Sequence, residues 1–419
     1  MVVDKLDLSG QVAIIFNQFG PYHHARVKAL QSRLPGQVIP AQIAANSHTY
    51  DWSKYEDSCE GLVTLCDGTE EDASATMVFL AAYRFFRKYK IRIVFLPSYS
   101  PANVLSLYVA ATACGCRRIM MNESHSATEQ AKGWKRMIKR VILKGFHSAL
   151  VGGTPQKRHF EDLGIPSTKI FVGYDAIDND YFSNAAKEVR LNATNRRIEL
   201  QLPSRYFLNL GRFVEKKNLE TLIQAYALFA KCSTRAVDLV LVGSGDQETR
   251  LKELAVHCGL RVHGPNAVIA EPTPEHSNMG YPIRSTAGED CASPTPTVYF
   301  MGFRQIEENP TFYALAEAFI IPSVREEWGL VVNEAMACGL PVIVSRAVGC
   351  AEDLVQEGKN GFLFDPEDAD ALACCLIRLA GDEPLRQAMS ETSQRIIADW
   401  GCGRFAENAL RAIEAALNH

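Results

Sequence analysis

A chain of 419 residues, 47% hydrophobic and 22% charged, is long enough for two or three separate cores, and its net charge of −4 excludes the basic excess of a typical nucleic-acid binder. Twelve scattered cysteines form no paired CxxC knuckles, so buried free thiols in a reducing compartment are expected rather than zinc or disulfide staples. No cationic run precedes Gln11–Phe16 and no apolar run nears the ~20 residues of a spanning helix, which predicts a soluble, cytoplasmic protein.

Val12–Phe16 predicts a buried parallel strand, followed by NQFGPYHHAR and a helix from about Ala25. The loop is not GxGxxG, so a dinucleotide fingerprint is absent. Gly20 lets backbone approach a ligand closely, and Tyr22, His23 and His24 line the same rim; an ordinary turn with exposed aromatics is the competing reading. Gly61–Cys66 and Ile91–Leu96 predict strands separated by a helix over Ala73–Tyr89. Pro101–Ala113 then predicts a helix and Arg118–Asn122 a strand. That strand runs into NESHSAT, which puts His125 at a carboxyl end, the edge where open α/β sheets bind ligands.

The stretch 131–145 joins Lys132, Lys135, Arg136, Lys139, Arg140 and Lys144 with Trp134, Met137, Ile138, Val141 and Ile142 on one helix. The favoured reading is a solvated helix with its apolar stripe in the core. The rival is peripheral contact with an anionic inner membrane face through 132–144. Strands at Ser148–Gly153 and Ile170–Gly173 close the first half. Asp178-Asn179-Asp180 resembles a DxD metal motif, yet turn chemistry explains it equally well, and no metal is assigned. A polar stretch, Asn184–Arg197, precedes a hinge at Leu202–Ser204.

A second α/β series follows, with a strand at Tyr206–Leu210, the loop GRFVEKKN and a helix over Leu219–Lys231. Arg212, Lys216 and Lys217 between a strand and a helix N-terminus suit a diphosphate, with a solvated basic loop as the alternative. The GSG of DLVLVGSG lacks the third glycine of a Rossmann loop and is a weak signal. Residues 263–296, rich in Pro, Ser, Thr and Gly, predict a flexible surface insertion before the strand Thr297–Met301. Helix Pro310–Ala316 and strand Phe319–Pro322 lead to SVREEWGLVVNEAMACGLP. Its Glu326 and Glu334 would lie roughly 12 Å apart along one continuous helix. A loop position for Glu326 and a helical one for Glu334 would array both acids along an extended ligand such as a nucleotide-sugar. A strand at Pro341–Ser345, an NG turn at Asn360-Gly361 and three helices complete the chain.

The segments GRFVEKKN, LVLVGSG, VYFMGF, FIIPSVREEWGLVVNEAMACGLPVIVS and VGCAEDLVQEGKNGFLF stand in an order that resembles the retaining glycosyltransferases of family 4; NQFGPYHHAR, His125 and LGIPSTKIFVGYDAID match more loosely. The resemblance implies an α/β GT-B fold of two Rossmann-like doubly wound domains facing across a cleft. Residues 1–200 would form the acceptor domain, with the C-terminal helices at about 386–419 packing back on it, and 201–385 the donor domain. Carried over, Glu326 contacts donor-sugar hydroxyls, Glu334 the ribose hydroxyls, and Arg212 and Lys217 the diphosphate, aided by Gly20 and the amides near Gly329 and Leu330. His125 stands near the transferred sugar, Phe303 and Arg304 near the base, and Tyr22 and His23 on the acceptor rim. Asn218 replaces a frequent family glycine.

The implied reaction moves a sugar with retention from a UDP- or GDP-linked donor to an acceptor hydroxyl in glycan, polysaccharide or glycoconjugate synthesis. No cofactor or metal is required, since Arg212 and Lys217 neutralise the leaving diphosphate. The acceptor is open among saccharides, lipid-linked sugars and small molecules. A nucleotide-sugar epimerase is a rival that would consume donor without acceptor. A non-catalytic sugar-nucleotide binder would consume none, and an NAD oxidoreductase rests on GSG alone.

Overall fold

The computed structural model describes residues 10–47, 59–129, 133–264, 267–270 and 296–418. Contacts divide the chain into one unit of residues 1–178 and 399–419 and a second of residues 179–398.

The first unit is built on a seven-stranded sheet in the order β3-β2-β1-β4-β5-β6-β7, every pair parallel. The strands are β1 (Gln11–Phe16), β2 (Val38–Gln42), β3 (Val63–Thr64), β4 (Ile91–Leu96), β5 (Arg117–Asn122), β6 (Ser148–Val151) and β7 (Ile170–Val172). Strands covered on both faces need apolar residues at every position, and β1 shows how they are shared. Val12, Ile14 and Phe16 join one core with α1 (Pro21–Arg33), while Ala13 and Ile15 join the other with α2 (Ala75–Lys88) and α3 (Ala102–Ala113). From α4 (Trp134–Leu143) only Leu143 is buried, and α5 (Thr154–Asp162) contributes Phe160. The last helix of the chain, Cys402–Leu417, packs beside α1, and the Ser148 hydroxyl donates to the Ala412 carbonyl at 2.7 Å.

β2 is a strand that composition alone does not announce, because Pro40 sits inside it. Bonds from Val12 N–H to the Gln37 carbonyl and from Ile43 N–H to the Phe16 carbonyl turn the odd-numbered residues toward β1. Pro40 therefore faces the β3 side, where pairing begins only at Ala41. Its missing donor costs no bond to β1.

The second unit opens with α6 (Asn179–Leu191) and α7 (Ala193–Glu199), where the sequence reads as a polar stretch. Arg190 holds α6 in place by donating to the carbonyls of Ala314 at 3.1 Å and Cys338 at 2.6 Å. Arg197 likewise donates to the carbonyls of Pro203 and Leu315. These bonds carry both helices into the second unit and put the boundary at 178/179, upstream of the expected hinge.

Its sheet has the order β11-β10-β12-β9-β8-β13-β14-β15, parallel except for β10 with β11. The strands are β8 (Tyr206–Leu210), β9 (Asp238–Val242), β10 (Arg261–Gly264), β11 (Ala267–Ala270), β12 (Thr297–Phe300), β13 (Ala318–Ile321), β14 (Val342–Ser345) and β15 (Gly361–Phe364). The helices are α8 (Leu219–Cys232), α9 (Glu248–His257), α10 (Asn309–Leu315), α11 (Leu330–Ala337), α12 (Ala351–Leu354), α13 (Ala369–Gly381) and α14 (Glu383–Ala398). α14 packs on α11, with the Ser390 hydroxyl donating to the Gly339 carbonyl at 2.7 Å, so of the terminal helices only Cys402–Leu417 (α15) belongs to the first unit. Of the expected insertion, residues 263–264 and 267–270 are strand; 265–266 and 271–295 lie outside the described residues.

Candidate active site

In the second sheet the strand order reverses between β8 and β13, and the loops after both strands leave from that point. A crevice at the carboxyl ends of strands forms where the order reverses, which is where open α/β sheets bind ligands. The loop after β8 carries Gly211, Arg212, Lys216 and Lys217, and the loop after β13 carries Glu326, Glu327 and Gly329.

Two ion pairs join these loops. Lys217 Nζ binds the Glu326 carboxylate, both side chains mostly buried, and Lys216 Nζ meets Glu327 Oε2 at 3.2 Å. Burial alone would push the Glu327 carboxyl up, but Lys216 and a backbone N–H outweigh it and hold the group below its usual range. Backbone fixes the same register, since Val324 N–H donates to the Lys216 carbonyl at 3.0 Å.

Asn218 closes the first loop. Its φ of 55° is left-handed, a conformation that glycine and asparagine adopt at least cost, which accounts for an asparagine at this position. Its amide nitrogen donates to the carbonyls of Pro322 at 3.1 Å and Pro366 at 2.8 Å, and its oxygen accepts from the Thr221 hydroxyl. A glycine would make none of these bonds.

The GSG loop serves packing. A Cβ on Gly243 would fall 1.9 Å from the Gly211 carbonyl oxygen, and one on Gly245 2.3 Å from that of Phe213. With both glycines in place, Gly211 N–H donates to the Val242 carbonyl and Phe213 N–H to that of Ser244. These glycines bring two backbones together under the basic loop.

Gly329 caps α11 with φ 100°, and a Cβ there would press within 3.0 Å of Val348. Leu330 opens the helix, so its first N–H groups face the end of the loop that holds Glu326. Glu334 lies inside α11, fully buried, and accepts from the Tyr313 hydroxyl at 2.9 Å. The two acids thus stand on loop and helix in the expected way, but Glu334 has no exposed surface. A ligand would reach it only by displacing a neighbour such as Tyr313. Arg212 is exposed; Phe303 is exposed beside Arg304, whose guanidinium binds Glu308 at 3.1 Å.

In the first unit the strand order reverses between β1 and β4, and Gly20, Tyr22 and His23 follow β1. His23 is spent locally: its ring stacks on Phe16 at 4.0 Å, and Nδ1 accepts from the Gly20 N–H at 3.0 Å. Burial and then Arg26 lower its pKa well below the usual histidine value, so the ring is the neutral acceptor this bond requires. Tyr22 is half-buried. His125 is buried in the loop after β5, where its carbonyl accepts from the N–H groups of Thr128 and Glu129. Glu129 then gathers Tyr99 Oη at 2.6 Å, His159 Nε2 at 3.3 Å and the Lys139 ammonium.

Sequence reasoning passed over a buried charged group at this edge. Arg26 donates to the Ala176 carbonyl at 2.9 Å, lies 3.7 Å from Asp175 and covers the Tyr174 ring. Burial and then Glu123 raise the Asp175 carboxyl well above its usual range, against the pull of Arg26. The available signal was positional for the two acids alone: Glu123 and Asp175 stand just beyond the carboxyl ends of β5 and β7, while Arg26 lies inside α1. Asp178-Asn179-Asp180 lies at the start of α6, where the Asn179 amide donates to the Ile397 carbonyl at 2.6 Å. Among the described residues no group of three or more His, Cys, Asp or Glu gathers as a metal centre, and no disulfide joins the cysteines.

The Glycosyl transferases group 1 family profile matches residues 193–264 and 293–396. The match runs through the loops after β8 and β13 and through α11, and not through the first unit. An uncharacterized glycosyltransferase of Methanocaldococcus jannaschii is 27% identical over 231 residues, 55% of this chain and 50% of the relative. The lipopolysaccharide core biosynthesis glycosyltransferase LpsE of Rhizobium meliloti is 24% identical over 229 residues, 54% of each chain. The chain spans about half the length of these curated relatives. The solved structure of Anabaena HepE in complex with UDP-glucose superposes with a TM-score of 0.68 at 15% identity, covering 97% of this chain and 99% of that one. Two parallel-sheet α/β units of this kind make the fold that of the GT-B glycosyltransferases.

Proposed function

We propose that the protein transfers a sugar from a nucleoside-diphosphate donor to an acceptor hydroxyl, with retention at the anomeric carbon, as a member of family 4. The observation that carries this reading is the Lys217–Glu326 pair at the strand-order reversal of the second sheet, beside Arg212 and the N-terminus of α11. An ammonium has three donors, so Lys217 can keep Glu326 and still bind a phosphate oxygen. With Arg212 it would neutralise the charge that grows on the diphosphate as the glycosidic C–O bond breaks. Glu326 would accept hydrogen bonds from the sugar hydroxyls. The leaving phosphate would take the acceptor's proton on the same face, so no carboxylate nucleophile is needed.

UDP-glucose bound to Anabaena HepE and the role in the name of LpsE support a nucleotide-sugar donor, UDP-linked in the first instance, and a glycan or glycoconjugate product. Phe303 and Arg304 would lie near the base, and Glu334 would meet the ribose only after a change at Tyr313. His125 stays the candidate for the transferred sugar, Gly20 for the diphosphate and Tyr22 for the acceptor rim.

The test is transfer by Arg212→Ala, Lys217→Ala and Glu326→Ala, with donors found by screening nucleotide-sugars for a raised melting point. Each variant should lose roughly 100-fold in turnover, about 3 kcal/mol of transition-state stabilisation, while staying folded. Near-normal turnover in all three would overturn the site, and donor consumed without acceptor into an epimer would overturn the reaction.

A further inference from the structure

The charges and the apolar stripe of α4 face the opposite way from those of an ordinary surface helix. Trp134, Met137 and Val141 are 67%, 66% and 66% exposed and Ile138 47%, forming a ridge on the side away from the sheet. One cation, Lys139, turns inward, while Arg136 and Arg140 stay exposed and reach along the surface to the end of α5. Lys139 binds Glu129, and Arg136 and Arg140 both donate to the Asp162 carbonyl, at 3.3 and 2.9 Å. Lys135 and Lys144 flank the ridge on either side at helical spacing. No acidic residue occurs between Glu129 and Glu161. Exposed apolar patches of this kind mark a binding surface, and cations around one select an anionic partner.

We propose that α4 docks the first unit on an anionic membrane surface, with Trp134, Met137 and Val141 entering the headgroup region and Lys135 and Lys144 meeting lipid phosphates. A second copy of this chain fits less well, because pairing two such helices would bring their cations together. Indole at the headgroup level and flanking lysines reaching to phosphate are the arrangement that an interfacial helix uses. On the same side of the sheet α2 also exposes Met77 and Leu80, and α3 exposes Val109. The proposal does not depend on the donor or the acceptor.

Flotation of the full chain with phosphatidylcholine–phosphatidylglycerol vesicles, against pure phosphatidylcholine vesicles, tests it. The chain should float with the anionic vesicles alone, and a salt wash should release it. The double substitution of Met137→Glu with Val141→Glu should abolish flotation without moving the melting point, since both side chains are exposed. Lys135→Gln with Lys144→Gln should lower partitioning roughly thirty-fold, leaving the ridge intact. Absence of flotation with anionic vesicles would overturn the proposal, as would undiminished flotation of both variants. A dimer in light scattering that the ridge substitutions dissolve, with no vesicle binding, would assign the face to self-association instead.

Discussion

Lys217 and Glu326 can be separated by a double-mutant cycle because the geometry gives them one shared interaction and two distinct proposed ligand contacts. Two unit charges about 4 Å apart attract by about 4 kcal/mol at an effective dielectric near 20. Both side chains are mostly buried, at 16% and 13% exposure, so each lost much of its solvation on folding, and that cost offsets a large part of the attraction. A net coupling of about 2 kcal/mol remains as the expectation. Urea denaturation of the wild type, Lys217→Met, Glu326→Gln and the double variant measures it: the double variant should lose about 2 kcal/mol less than the sum of the singles. Repeating the series with UDP and then GDP divides the two residues by role. A ligand at about 100 times its dissociation constant stabilises the native state by about 2.7 kcal/mol. Lys217→Met should forfeit most of that gain, while Glu326→Gln should keep it, because Glu326 is assigned to the sugar and not to the diphosphate. Coupling within about 0.5 kcal/mol of zero would refute the ion pair. Equal stabilisation of all four proteins by the nucleotide would refute the diphosphate assignment.

Other parts of the second unit make equally definite predictions. Gly243→Ala should cost more than ~3 kcal/mol or prevent folding, because its Cβ would strike the Gly211 carbonyl rather than a movable side chain; a melting point near that of the wild type would refute the packing role. Asn218→Ala loses three side-chain hydrogen bonds at about 1 kcal/mol each and leaves a left-handed alanine, whereas Asn218→Gly should be milder by about 1 kcal/mol. Equal losses on denaturation would argue against the left-handed cost. Asp238 predicts a pH dependence. Burial raises its carboxyl from 3.8 to about 6, against the Thr297 N–H that donates to it at 3.1 Å. The folded state therefore holds this proton longer than the unfolded chain. The stability it contributes is full below pH 3.8 and is lost as pH rises through 6. The whole effect is about 3 kcal/mol. Asp238→Asn keeps the acceptor and should stabilise the protein near neutral pH, with the gain vanishing below about pH 4. A gain of equal size at both pH values would exclude titration of Asp238 as its source.

Much of the arrangement at the candidate site was legible because it is local in the sequence. GRFVEKKN places three cations between a strand and a helix, and the structure keeps that order with Lys217 and Lys216 on two neighbouring glutamates. The loop position of Glu326 and the helical position of Glu334 also follow from one segment. What the sequence hid depends on partners far along the chain. Pro40 argues against a strand until its neighbours are known, and the glycines of GSG have a reason only once the loop at 211–213 lies against them. α6 and α7 read as a polar tail because their anchors, the carbonyls of Ala314, Leu315 and Cys338, are backbone groups without a sequence signature. Arg26 and Asp175 are nearly 150 residues apart in the chain, and no periodicity links them.

The orientation of α4 shows the same limit in its sharpest form. A helical pattern gives two faces, an apolar one and a cationic one, and it is unchanged when inside and outside are exchanged. The usual expectation assigns the apolar face to the core, because burial of Met or Val removes apolar area from water. Here the core beneath the helix is already filled by Leu143, Phe146 and Phe160, and the groups facing α4 are the Glu129 carboxylate and the Asp162 carbonyl. A partly buried carboxylate left against an apolar face would lose the partner that offsets its desolvation, which costs more than an exposed methionine or valine. Lys139 therefore turns in, Arg136 and Arg140 stay exposed beside it and reach the Asp162 carbonyl, and the ridge of Trp134, Met137 and Val141 is left facing outward. Lys139→Met tests this reasoning, because it removes the ammonium that binds Glu129 and should destabilise the first unit by about 2 kcal/mol despite adding apolar surface. An unchanged melting point would mean that the helix is held by something other than its inward charges.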